Sequence, residues 1–275
     1  MTASRLPIVL TVGMSAATIT FVINRLLESA DSLSRTNYRG DQTSLSEGFA
    51  VATALTGCSI ARGDYAGATA LTTTALVGAI DDFDNGRHDG PRKAKGLRGH
   101  WNALKNGHLS TGVLKVAAIG SAGALYAAKY RRTRGRNLFD FVLDTTIIAG
   151  SANIANLFDL RPGRALKTSA MCASLATIAH AEPRAYASLI GTIAAVVQTD
   201  LSGRTMLGDF GANPLGLQVG ILASAPDSRA FRTVMALLTL GLIGASERVS
   251  FTELIRSTPA LRYLDELGIP TENRE

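Results

Sequence analysis

The chain has 275 residues, 46% of them hydrophobic and only 18% charged, where soluble domains carry about a quarter charged residues. Its 28 Lys+Arg against 22 Asp+Glu leave a net charge of +6, so a nucleic-acid or membrane-surface partner is weighed first, and the placement of the charges decides between them. Two cysteines, Cys58 and Cys172, both in apolar runs, are too few for a disulfide framework or a structural zinc site and read as small buried side chains.

From the N-terminus, Leu6–Ile23 is free of charge, follows Arg5 and ends at Asn24-Arg25. It is too long for the apolar part of a signal peptide and has no clear small-residue cleavage site, so it reads as an uncleaved first transmembrane helix. Charge-poor runs follow at Gly48–Ala61, Tyr65–Ile80, Leu109–Ala128, Thr145–Phe158, Thr168–Ala181, Ala185–Thr199, Phe210–Ala225 and Thr233–Ser246, giving about nine candidate spans. Most hold roughly 14 to 16 uncharged residues, short of the ~20 that cross ~30 Å of hydrocarbon. They are rich in Ala, Thr, Ser and Gly, which explains a mean hydropathy of only +0.16. Small residues suit close helix contact in lipid. A buried soluble bundle is the alternative, but the runs lack the polar stripe that such a bundle turns to water. Residues 247–275 read as a polar tail with a short amphipathic helix around Phe251–Ile255 and Leu261–Leu264.

Charge placement sets the orientation. If Asp84–His108 is cytoplasmic, Arg87, Arg92, Lys93, Lys95, Arg98 and Lys105 obey the positive-inside rule. The cluster Lys129, Arg131, Arg132, Arg134 and Arg136 then falls outside, which conflicts with it.

Three polar segments interrupt the apolar pattern. Asp81-Asp82 ends the third run within Gly78–Asn85, and adjacent carboxylates at a helix C-terminus face both each other and the negative end of the dipole. A divalent cation with bound phosphate would compensate them, because hard oxygen ligands suit magnesium; a solvated loop start is the alternative. Asn153, Asn156 and Asp159 follow at spacings of three, which gathers them on one side of a helix as it reaches the interface. Polar groups there are commonly functional, and hydrogen bonding between helices is the equal alternative for the two asparagines. Gly208-Asp209-Phe210-Gly211 is a short acidic turn before an apolar run, a ligand-facing turn or a helix cap. Lys115 and Asp144 are ionisable residues inside runs, near enough to the ends to snorkel. His88, His100 and His108 share one loop at spacings that fit no metal motif.

In this order the segments resemble the polyprenyl-phosphate phosphosugar transferases, the family of phospho-N-acetylmuramoyl-pentapeptide transferase and the undecaprenyl-phosphate N-acetylglucosamine-1-phosphate transferases, over almost the whole chain. Asp81-Asp82 sits where the family has its aspartate pair, and Asn153 to Asp159 matches its Asn-x-x-Asn-Leu-x-Asp segment. Gly208–Gly211 matches its Gly-Asp-x-Gly turn, and Asn37-Tyr38-Arg39-Gly40 resembles its first cytoplasmic loop. The resemblance implies an all-α integral membrane protein of about nine transmembrane helices with cytoplasmic active-site loops, in the plasma (inner) membrane. Residues 1–246 would form the transferase-like domain. The implied reaction is attack of polyprenyl phosphate on the β-phosphate of a UDP-sugar, with Mg²⁺ as cofactor, and with lipid, nucleotide-sugar and membrane but no nucleic acid as partners; a homodimer is allowed.

By that resemblance Asp81, Asp82 and Asp159 are the catalytic candidates, Asp209 and Asp82 the metal ligands, and Asn153, Asn156, Lys115 and Arg39 the substrate-binding residues. The chain also departs from the family. Leu160-Arg161-Pro162-Gly163 stands where the family continues Gly-x-Asp-Gly, so Pro162 replaces an acid. Met206 stands where many members have an aromatic residue, and the last-loop histidine motif and a tenth span are missing. A catalytically degenerate relative, serving as a scaffold or lipid-phosphate-binding partner of envelope synthesis, is therefore the first rival. The second is an intramembrane prenyltransferase using Asp81–Asp84 and Asn156-x-x-Asp159.

Overall fold

The computed structural model describes residues 6–37, 40–84, 111–178 and 182–271, and apart from Ala225 each charge-poor run is helical over its described residues. α1 (Leu6–Leu27) leads through a 3-10 turn at Asp31–Leu33 into a hairpin of β1 (Ser34–Thr36) and β2 (Gln42–Ser44). The long helices then follow as α2 (Ser46–Ala61), α3 (Tyr65–Asp84), α4 (Thr111–Arg134), α5 (Leu138–Phe158), α6 (Arg164–Ile178), α7 (Pro183–Leu201), α8 (Gly208–Ser224) and α9 (Arg229–Ser246). Two short helices, α10 (Phe251–Ser257) and α11 (Pro259–Glu266), form the tail, where a single amphipathic helix was expected.

The chain is thus all-α apart from the small hairpin. α1, α5 and α9 are long and apolar enough to cross a membrane by length and composition, and the other long helices among the described residues are shorter or less apolar. Uncharged runs understate helix length because the helices continue through their charged ends. α3, α4, α5 and α7 have 20, 24, 21 and 19 residues, with Asp81-Asp82, Lys129–Arg134 and Asp140–Asp144 inside the first three. α2, α6 and α8, with 16, 15 and 17 residues, reach only about 22–26 Å at a rise of ~1.5 Å per residue.

α8 is the central pillar: 15 of its 17 residues are buried, all but Asp209 and Phe210. Its neighbours are α5, α3, α2 and α6, while α1 packs on α2 and α7 at the margin. Close approach needs small residues. A Cβ on Gly78 of α3 would meet the Asp209 backbone of α8. Outward faces are apolar instead, with Leu10, Met14, Phe21 and Leu26 on α1 and Leu237, Leu238 and Leu240 on α9 exposed. Cys172 shares such a face with Met171 and Leu175 of α6, so it is exposed, and only Cys58 is the buried thiol expected of both.

Side-chain bonds fix which helix ends meet. Asn24 at the end of α1 accepts from Ser46 at the start of α2 at 2.7 Å and donates to Thr199 near the end of α7 at 3.2 Å. Asp200 of α7 accepts the Gly163 amide just before α6 at 2.8 Å. Arg164 of α6 holds Asp265 of α11 through two 2.7 Å bonds, and Phe251 of α10 stacks on Phe158 of α5 with ring centroids 5.5 Å apart. The C-terminal ends of α1, α3, α5, α7 and α9 therefore share one end of the bundle with the N-terminal ends of α2, α4, α6 and α8, and successive helices alternate in direction.

The opposite end explains the second basic cluster. Lys129 bonds Asp64 at 2.9 Å, Arg134 bonds Asp227 at 3.1 Å, and Arg136 bonds Asp144 at 2.7 Å. Arg232 bridges Asp144 and Asp140, each at 2.8 Å, and Arg229 grips Asp140 through two 2.9 Å bonds. Asp144 is fully buried between Arg136 and Arg232, a structural counter-ion with no need to snorkel. Arg136 also donates to the carbonyls of Ser224 at 2.8 Å and of Ala225 and Pro226 at 3.1 Å, placing a cation on the negative end of the α8 dipole.

Candidate active site

The first amides of α8 have no helical partners, and a helix N-terminus attracts carboxylates. Two consecutive ones are met that way here, and Asp159 at the end of α5 lies beside the preceding amide, that of Gly208. The amides of Asp209 and Phe210 donate to the two oxygens of Asp82, at 3.1 and 2.8 Å. Gly208 has φ of +58° and its Cβ position is filled by Leu45 and Asp82, so only glycine lets the chain enter the helix this close to α3.

Asp209 then projects from the first turn of α8 to the ammonium of Lys115, which also lies 3.4 Å from Asp81. Lys115 is mostly buried, as is Asp209, while Asp81 is 38% exposed and marks the open side. Residues from α3, α4, α5 and α8 that are far apart in sequence thus come together at one helix N-terminus. Asp82 binds the backbone of α8 with Asp159 beside it, whereas Asp81 and Asp209 face a cation.

The remaining candidates are placed differently. Asn153 and Asn156 are half-buried in the last turns of α5, and among the described residues no hydrogen bond joins either side chain to the aspartates. Tyr38 and Arg39 lie outside the described residues, as do 85–110 with the expected cytoplasmic basic loop and its three histidines, and His180. The hairpin that would carry Arg39 is described on both sides of it. Its turn is set by Asn37, whose side chain accepts the Asp41 amide at 3.0 Å, and by Gly40 at φ +90°.

Three residues of the region were not singled out in the sequence. Arg35 of β1 donates to the Asp82 carbonyl at 3.4 Å and lies 4.8 Å from the Phe83 ring centroid, giving the C-terminus of α3 a cation. Glu47 is fully buried in the first turn of α2, with one oxygen accepting from Thr205 at 2.7 Å and the other without a hydrogen-bond partner. Asp200 of α7 is buried nearby. Their signal was position: Glu47 directly precedes one charge-poor run and Asp200 directly follows another. Burial, reinforced by the charges of Asp200, Asp209 and Asp82, holds the Asp159 carboxyl well above the ordinary carboxylate range.

No protein-family model matches the chain, and none of the curated proteins is similar enough to match it. The geometry is therefore the main guide to function.

Beside Asp159 and Asp200, a pocket of about 170 Å³ opens between the hairpin and the α5–α6 turn. Pro162 and Met206, two of the departures from the pattern that the sequence resembles, both line it with Thr36 and Asn37. As for metal, no three His, Cys, Asp or Glu side chains are grouped to hold an ion among the described residues. Magnesium, however, commonly uses one or two carboxylates and completes its shell with water and substrate phosphate. Asp81 and Asp209, two hard-oxygen side chains converging on one cation, fit that requirement.

Proposed function

We propose that this chain transfers a sugar-1-phosphate from a UDP-sugar to a polyprenyl phosphate, releasing UMP, in cell-envelope glycan synthesis. The observation that carries the reading is the convergence of Asp81, Asp82, Asp159, Asp209 and Lys115 on the N-terminus of α8. In this reading all nine long helices cross the plasma (inner) membrane, and the short α8 is accommodated because it is enclosed by protein. The acidic end faces the cytoplasm. Neutralisation of Lys129, Arg134 and Arg136 by Asp64, Asp227 and Asp144 supports that orientation by removing much of the opposing charge.

In the reaction an oxygen of polyprenyl phosphate forms a bond to the β-phosphorus, and the bond from that phosphorus to the bridging oxygen breaks. UMP departs with that oxygen and its electron pair. Catalysis of this kind rests on positioning and on neutralising the phosphate oxygens. Lys115 is the cation of the site and binds a phosphate oxygen. Asp82 and Asp159 are positioning residues: they fix the first turn of α8 and so the direction of Asp209. Asp209 and Asp81 would hold magnesium, which when bound supplies charge neutralisation to the diphosphate.

The non-catalytic reading has its own support. Pro162 and Met206 line the pocket beside Asp159 where the resemblance would put an acid and an aromatic residue. Radiolabel transfer in detergent, with Mg²⁺ and polyprenyl phosphate across a panel of UDP-sugars, separates the two. Label entering the lipid phase with wild type and not with the Asp81→Asn/Asp82→Asn variant supports the transferase. Absence of transfer from every donor favours the scaffold.

A further inference from the structure

At the end of the bundle opposite the acidic cluster, the α2–α3 turn, α4, α7 and α8 line a pocket of about 320 Å³ in which four basic side chains face two acidic ones. Most of these charges are already engaged. Asp64 accepts from Lys129 at 2.9 Å, from the Tyr126 hydroxyl at 3.0 Å and from the Gly67 amide at 2.9 Å. Arg134 is taken by the Ala225 carbonyl and Asp227. Arg62 and Arg184 are different. The part-buried Arg62 guanidinium donates to two neutral hydroxyls, Ser188 at 3.0 Å and Ser59 at 3.1 Å, and among the described residues neither arginine has a carboxylate at ion-pair distance. Burial pushes the Arg62 guanidinium down, with Asp64 opposing the shift from a distance. A buried cation without a contacting counter-ion is costly, and a guanidinium fork suits a planar or tetrahedral oxyanion.

We propose that this pocket binds a phosphate ester, held by Arg62 and Arg184, with Tyr126 and Tyr130 lining the same pocket. The volume equals that of about ten waters at ~30 Å³ each, room for a phosphate with a glycerol-sized substituent. Glu182, exposed at the rim and lining the same pocket, opposes the anion and limits its affinity. The site requires nothing from the transferase reading, since it lies at the other helix ends.

Thermal unfolding of the full chain in detergent tests it, with three probes: sn-glycerol 3-phosphate, phosphatidylglycerol and diacylglycerol in mixed micelles. Wild type is expected to be stabilised by a phosphate-bearing probe and not by diacylglycerol. Arg184→Gln, at an exposed position where folding is not at risk, should raise the half-saturating concentration about tenfold. Glu182→Gln should lower it, and Arg131→Gln, exposed on α4 outside the pocket, should leave it unchanged. Stabilisation by phosphatidylglycerol alone assigns the pocket to a lipid headgroup, and stabilisation by glycerol phosphate as well assigns it to a soluble ester. No response of wild type to either phosphate, or equal weakening by Arg184→Gln and Arg131→Gln, overturns the proposal.

Discussion

The Asp82 carboxylate of α3 accepts the Phe210 amide of α8 at 2.8 Å, with its second oxygen on the Asp209 amide at 3.1 Å. One side chain thereby joins two candidate motifs separated by more than a hundred residues of sequence. Losing it should resemble the loss of a helix cap in a partly buried setting, about 1–2 kcal/mol. Asp82→Ala is expected to lower Tm by a few degrees, at about 2–4 °C per kcal/mol for a chain of this size, while Asp82→Asn, which keeps one acceptor, should lose less. Equal Tm values for wild type and Asp82→Ala would remove the capping role.

Asp209→Asn is nearly isosteric but removes the charge facing Lys115. If the chain is the proposed transferase, its activity should fall by roughly 10²–10³-fold, the scale of losing one electrostatic group of an active site, with little change in Tm. Transfer assay and thermal unfolding on the same preparation check both halves.

Lys115→Met acts in the other direction on cation binding. It leaves Asp81 and Asp209 without their shared ammonium, so added Mg²⁺ should raise Tm more in the variant than in wild type, because a ligand that binds the native state stabilises it. Transfer should nevertheless drop, since the phosphate loses its cation. A smaller Mg²⁺ shift in Lys115→Met would contradict this account of the site.

Acid should act at the opposite end. Burial raises the Asp64 carboxyl, but hydrogen bonds from Lys129, the Gly67 amide and Tyr126 outweigh it and leave the group below the ordinary aspartate value. A depressed native value means that the stabilisation is complete above the unfolded value near 4 and is lost as pH falls through the native one. Between neutral pH and strongly acidic pH, Asp64→Asn is therefore expected to lose less stability than wild type, measured as Tm against pH.

How far the sequence anticipates this architecture depends on whether the determining partners are local. The helices were legible because charge-poor runs are a local signal. Helix lengths were not, because the charges that close the runs are paired inside the helices: Asp144 reads as a polar interruption until Arg136 and Arg232 are placed on either side of it. The hairpin escaped notice because two three-residue strands carry no periodicity, and only Asn37 and Gly40 announce its turn. Glu47 and Asp200 were passed over as run boundaries, since nothing local reveals that α2 and α7 bring them beside Asp159.

α8 carries an anion at its positive end, Asp82, and a cation at its negative end, Arg136, each bonded directly to its terminal backbone groups. Sliding or tilting the helix would break both clamps at once, so α8 serves as the fixed rail against which the rest of the site is registered. If the proposed transfer holds, admission of its two substrates must come from the elements around α8, the Ser34–Ser44 hairpin and the C-terminal turn of α3 with the partly exposed Asp81. Substrate-dependent changes in hydrogen exchange should accordingly concentrate there and spare the amides of Gly208–Gly211.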